Sequence, residues 1–134
     1  MEDYTVKEDK KLRIAIYCRA GTREECEKFI VAYMKIIEKN KKWIFVGEYI
    51  DVGTSGRSAD TRSGFGQLIV DCENAVVDII LTPSISQFFR NTLELLQYVE
   101  MLKSRNVDVQ FGEGNVKIVM EEWIPIRVTF NGKT

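Results

Sequence analysis

Arg19, Asp51, Arg62 and Arg90 are the side chains most able to do chemistry, and each lies in or beside a polar segment following a short apolar run. Guanidinium groups gathered with a carboxylate either bind an anion or pair internally, here with Asp51 or Asp60, and the residue types alone leave both readings open. Thr22, Ser55, Ser84 and Ser86 add hydroxyls to the same segments, where the ordinary role is loop hydrogen bonding and helix capping. The histidine count is zero, which removes Ser-His-Asp, Cys-His and His-metal mechanisms outright. Cys18, Cys26 and Cys72 are widely spaced and include no Cys-x-x-Cys pair, so no zinc set is offered and buried, reduced thiols are expected. Neither a metal nor a small-molecule cofactor is expected.

The elements that must position these groups alternate along the chain. Leu12–Cys18, Trp43–Asp51, Val76–Leu81 and Val107–Phe111 read as strands, short and rich in β-formers. Between them, Glu24–Asn40 carries Cys26, Phe29, Ile30, Tyr33 and Ile37 on one helical face, and Ser63–Asn74 carries Phe65, Leu68, Ile69 and Cys72. Asn91 suits a helix cap with Glu94 as its capping-box partner, ahead of the apolar face Leu95, Tyr98, Val99 and Leu102. Such alternation builds βαβ units and a mainly parallel sheet of four to five strands, covered on both faces as a three-layer α/β/α domain. The first and third strands, the most continuously apolar, are expected as central neighbours. Ligands bind beyond the carboxyl ends of such strands. The polar segments after Cys18, Asp51 and Leu81 leave those ends, which brings the four charged groups to one rim.

The expected organisation is a polar segment over residues 1–11, the α/β domain over 12–115, and a β-hairpin tail over 116–134. The tail alternates Val116, Ile118, Met120 and then Ile124, Ile126, Val128, Phe130, with Asn131-Gly132 as a turn signal. Tyr17, Trp43, Phe45 and Tyr49 are expected to pack in the interior. No apolar run approaches the ~20 residues of a membrane span, and Met1–Lys11 lacks the apolar core of a signal peptide. A cytoplasmic protein without membrane association is the default expectation. The net charge of −1 implies weak binding to DNA by the chain alone, because phosphate neutralisation drives such affinity.

The run Tyr17-Cys18-Arg19-Ala20-Gly21-Thr22, the loop Asp51-Val52-Gly53-Thr54-Ser55-Gly56 and the block Val77–Thr92 resemble, in order and spacing, the catalytic domain of the serine site-specific recombinases. The likeness spans about Leu12 to Asn115 and is nearest to the large members of that resolvase/invertase family. The resemblance implies a resolvase-like fold, DNA strand cleavage by a serine, and arginines that hold the scissile phosphate. Matched position by position, Arg19, Arg62 and Arg90 are the phosphate-binding arginines, and Asp51 is the acidic residue that orients them.

Two departures bear on activity. Gly21 stands at the nucleophile position, where the family has Ser, and a glycine has no side chain with which to form a phosphoprotein. Gln87 stands where the family has an arginine, and loss of one charge-stabilising group typically costs ~3 kcal/mol. A loop requirement for positive φ would explain the glycine without restoring a nucleophile. Phe89 replaces a small residue and is expected beside the phosphate site. Thr22 is not a relocated nucleophile, because the family carries Thr there beside its Ser. The family's long dimer helix and DNA-binding domain have no counterpart after Asn115, where the chain passes directly to the hairpin, as an internally deleted remnant would. The resemblance therefore implies a recombinase-like domain of a mobile element or phage, catalytically inactive, with DNA, a recombinase partner or a second copy as partners. Two alternatives stand beside it: an active fragment using another hydroxyl, and an α/β interaction module with no link to DNA.

Overall fold

The computed structural model describes residues 10–53, 63–112, 116–120 and 126–130, the last two stretches as backbone. The polar segment 1–9, Ser55, Arg62 and the Asn131-Gly132 turn signal lie outside the described residues.

Strand β1 (Leu12–Ala20) buries Ile14 through Cys18 without interruption, as a central parallel strand must. It is flanked by β2 (Trp43–Val52) and β3 (Ile79–Thr82), and β3 is followed outward by β4 (Asp108–Phe111). All three of these pairings are parallel, so the first and third strands are central neighbours as expected. The hairpin strands β5 (Val116–Met120) and β6 (Ile126–Phe130) pair antiparallel, with Ile118 opposite Val128. β5 also pairs antiparallel with β4 at Gln110 and Phe111, so the hairpin extends the sheet to six strands in the order β2-β1-β3-β4-β5-β6.

Helix α1 (Arg23–Lys39) begins at Thr22, whose hydroxyl accepts the Glu25 N–H at 3.2 Å, and ends at Asn40. It lays Tyr33 and Ile37 over Ile14, Ile16, Ile79 and Leu81. The opposite face of the sheet is covered by α2 (Ser63–Glu73) and α4 (Thr92–Ser104), which pack Phe65, Leu68, Cys72 and Leu102 against Ala15, Tyr17, Ile80, Val109 and Phe111. Each large apolar side chain so buried stabilises the fold by about 1.5–3 kcal/mol. All three cysteines are buried and unpaired.

Several local expectations are corrected. The segment after β3, read as a plain loop, contains a one-turn helix, α3 (Ile85–Phe88). Trp43, Phe45 and Tyr49 pack against the core as expected, but on two faces: Trp43 and Phe45 under α1, Tyr49 against the other cluster. The cause is a bulge. Ile14 pairs with Phe45 but Ala15 pairs with Gly47, so Val46 is inserted and the alternation of β2 reverses. The third strand starts at Ile79 rather than Val76, because Ala75 turns with a φ of 61° and the Ala75 and Val76 amides are bonded back to the Cys72 and Asp71 carbonyls at the end of α2.

Candidate functional site

The rim at the carboxyl ends of β1, β2 and β3 gathers Arg19, Gly21, Asp51 and Gln87. Arg19 is held on β1 itself, which runs two residues beyond Cys18. Its backbone N–H donates to Gln87 Oε1 and its Nε to the Gln87 carbonyl, both at 3.3 Å. The Cys18 thiol donates to the same Gln87 Oε1 at 3.8 Å. Gln87 thus has a structural role of its own. It fastens α3 to the end of β1 with an acceptor that an arginine side chain, which has only donors, cannot supply.

Asp51 is only 3% exposed and its carboxylate takes three donors: the Tyr17 hydroxyl at 2.7 Å, the Gly64 N–H at 2.8 Å and the Phe65 N–H at 3.0 Å. Those two amides are orphan donors of the first turn of α2, where a negative charge is also favoured by the helix dipole. Gly64 makes this possible. A Cβ there would lie 2.8 Å from the Ile50 carbonyl oxygen, so only glycine lets the helix start abut β2. The expected steering of Arg62 by Asp51 involves a residue outside the described ones.

Arg90 follows α3. Its N–H donates to Glu94 Oε1 at 2.8 Å and its Nε to Glu94 Oε2 at 3.1 Å, with Glu94 itself 4% exposed. The Asn91 side chain caps α4 by accepting the Glu94 N–H at 2.8 Å, so the expected capping box is present but shifted. The Glu94 carboxylate reaches Arg90 rather than the cap residue.

Two expectations about the site are overturned. Gly21 does not have a positive φ, whereas Gly53 and Gly112 do. Among the described residues, a Cβ at Gly21 would meet only Glu25 Oε1, at 3.7 Å, an ordinary contact. Backbone geometry therefore does not demand glycine at position 21. Phe89 does not crowd the rim, because it is buried with its ring edge-on to Phe88 at 4.7 Å, inside the cluster that also holds Tyr17, Phe65 and Phe111.

Two of the candidate hydroxyls have structural roles. The Thr22 hydroxyl caps α1 and the Ser84 hydroxyl accepts the Gln87 N–H at 3.2 Å. Burial pushes all three thiols up, Cys72 to about 12, so none is a ready thiolate. Asp71 accepts the Tyr49 hydroxyl at 2.6 Å. Among the described residues, no cluster of His, Cys, Asp or Glu is placed to hold a metal, and no helix is long and apolar enough to cross a membrane. Sequence reasoning missed Glu25, whose carboxylate accepts the Gly21 N–H at 3.2 Å. Its position three residues after Thr22 in a capping pattern was the available signal.

Comparison with known proteins agrees with the fold. The family model described as the resolvase N-terminal domain matches residues 14–122. The N-terminal catalytic domain of TP901-1 integrase is 24% identical, with a TM-score of 0.67, over 78% of this chain and 80% of that one. A resolvase family site-specific recombinase from Streptococcus pneumoniae is 23% identical, with a TM-score of 0.67, over 85% and 80%. The C-terminal catalytic domain of ISC1926 TnpA, an IS607-like serine recombinase, is 22% identical, with a TM-score of 0.64, over 75% and 68%. No curated protein matches the sequence.

Proposed function

Because this chain belongs to the resolvase N-terminal domain family, we propose that it is a catalytically silent relative of the serine recombinases. In this reading it acts in the site-specific recombination of a mobile element or phage through a partner, not through chemistry of its own. The observation that carries the reading is Gly21. The strand end, the helix cap and the backbone around it are regular, yet no atom is present to attack phosphorus. Gln87 supports the same reading. A neutral amide stands where developing charge on a phosphoryl group would need a cation, and it is already committed to Arg19 and Cys18.

Arg19, Arg62 and Arg90 would be what survives of the phosphate cradle, with Asp51 as the fixed anchor of the second loop. Three arginines alone bind a DNA backbone weakly when the whole chain carries a net charge of −1. Association with an active recombinase, or with a second copy, is then the route to a recombination site.

The test is a plasmid assay. The chain is incubated with supercoiled plasmid bearing recombination sites, alone and with an active full-length serine recombinase. Alone, it should leave the plasmid supercoiled. Added to the active enzyme, it should co-migrate with it in gel filtration and change the rate of strand exchange. Nicked or linear product from the chain alone would overturn silence. Absence of both a complex and a rate effect would overturn the partner role.

A further inference from the structure

Glu25 is exposed and sits on the first turn of α1, yet its carboxylate turns back to the Gly21 amide at 3.2 Å. The N–H groups before and at a helix start are the groups an incoming anion would otherwise use. Here the one on Gly21 is already matched to a negative charge within the chain. Glu25 also lines two open clefts beside the Thr22 turn. One, of about 470 Å³, is formed by Ala20, Glu25, Lys28, Phe29, Ala32 and Gln87, so a single carboxylate cancels its single ammonium. The other, of about 790 Å³, sets Glu24, Glu25 and Glu27 against Lys28 alone. A phosphate-binding rim needs a surplus of cations. Among the described residues that line these two clefts that surplus is missing, and Glu25 is the carboxylate common to both.

We infer that Glu25 is a specificity-determining residue that opposes phosphodiester binding at the Gly21 end of the rim by occupying the Gly21 amide and offsetting the charge of Lys28. The inference deepens the proposed function and rests on it only in taking this rim as the place where a DNA phosphodiester would approach. Silence would then have two separate bases, a missing nucleophile and a pocket that turns its substrate away.

The experiment is a ¹⁵N NMR titration with dimethyl phosphate, a monoanionic phosphodiester, using trimethyl phosphate as its neutral counterpart. Glu25→Gln keeps an acceptor for the Gly21 amide and removes the charge, so the cap and the fold are retained. Removing one like charge at ~4 Å from a monoanion should tighten dimethyl phosphate binding about fivefold, even in the dielectric of water. Shifts should centre on Gly21, Thr22 and Arg19, and trimethyl phosphate should show no gain. Glu38→Gln changes the net charge equally at the far end of α1, about 20 Å away at 1.5 Å per residue, and should change nothing at ordinary salt. The inference fails if Glu25→Gln binds no tighter than the parent, if Glu38→Gln gains equally, if the neutral ester gains too, or if no form binds. None of those results bears on catalytic silence, which fails separately, on a covalent DNA adduct from the parent chain.

Discussion

Replacing Asp51 is expected to be the most damaging single change at the site, for a structural reason. Asp51→Ala removes the acceptor shared by the Tyr17 hydroxyl and the Gly64 and Phe65 amides. Hydrogen bonds to a charged group contribute about 1.5–3 kcal/mol each. They are not additive, and part of the gain is offset by burying the charge in the first place. Leaving these three donors without their acceptor costs about 1–3 kcal/mol for each, less than additively, so about 3–5 kcal/mol in all against a total stability of about 5–15 kcal/mol. With an unfolding entropy of about 2.1 cal/mol/K per residue over 134 residues, that is a fall in Tm of roughly 10–18 °C. Asp51→Asn preserves the shape and one acceptor but turns an N–H donor toward other donors, and should lose about 2 kcal/mol. Tyr17→Phe should lose about 1 kcal/mol, and far less when added to Asp51→Ala, because its partner is already gone. Urea unfolding followed by circular dichroism measures all four, with equal m values certifying that the denatured state is comparable. A loss below about 1 kcal/mol for Asp51→Ala, or Asp51→Asn indistinguishable from the parent, would refute the anchoring role.

Other substitutions separate structure from lost chemistry. Gly21→Ala meets no close contact and no positive φ, so it should leave stability unchanged or raise it by up to about 1 kcal/mol through the unfolded chain; the same urea titration checks it. Gln87→Ala removes an acceptor for the Arg19 amide and should cost about 0.5–1.5 kcal/mol, with faster amide exchange at Arg19 as the local readout. Cys72 ionises near 9 when unfolded and only at about 12 when folded, so the unfolded state releases its proton first. That contribution to stability is complete below pH 9 and is lost as pH rises from 9 to about 12. An aromatic disulfide reagent at pH 8 should accordingly leave all three thiols unmodified until urea unfolds the chain.

Much of this architecture was legible because the apolar pattern is strong. The unbroken run Ile14–Cys18 could only be a strand buried on both faces, and Thr22 and Asn91 mark helix starts by their chemistry. The bulge at Val46 was not legible, because one inserted residue leaves the alternation of Trp43, Phe45 and Tyr49 looking regular while reversing which face Tyr49 meets. Phe89 was misplaced for a related reason. It follows the one-turn helix Ile85–Phe88 and is buried, and nothing in its own side chain tells rim from core. At the site, residue types did not indicate the contacts of Gln87 and Glu25, since these depend on which atoms the turns bring within 3.3 Å.

The most direct test of silence is a covalent trap. The parent chain, with and without an active partner recombinase, is incubated with a nicked duplex suicide substrate carrying a recombination site, then denatured and analysed by mass spectrometry. Only the partner should appear joined to DNA. Gly21→Ser should also form no adduct alone, because Gln87 still withholds a cation from the phosphoryl group. A DNA-linked peptide from the parent chain, at Thr22 or any other hydroxyl, would contradict the account.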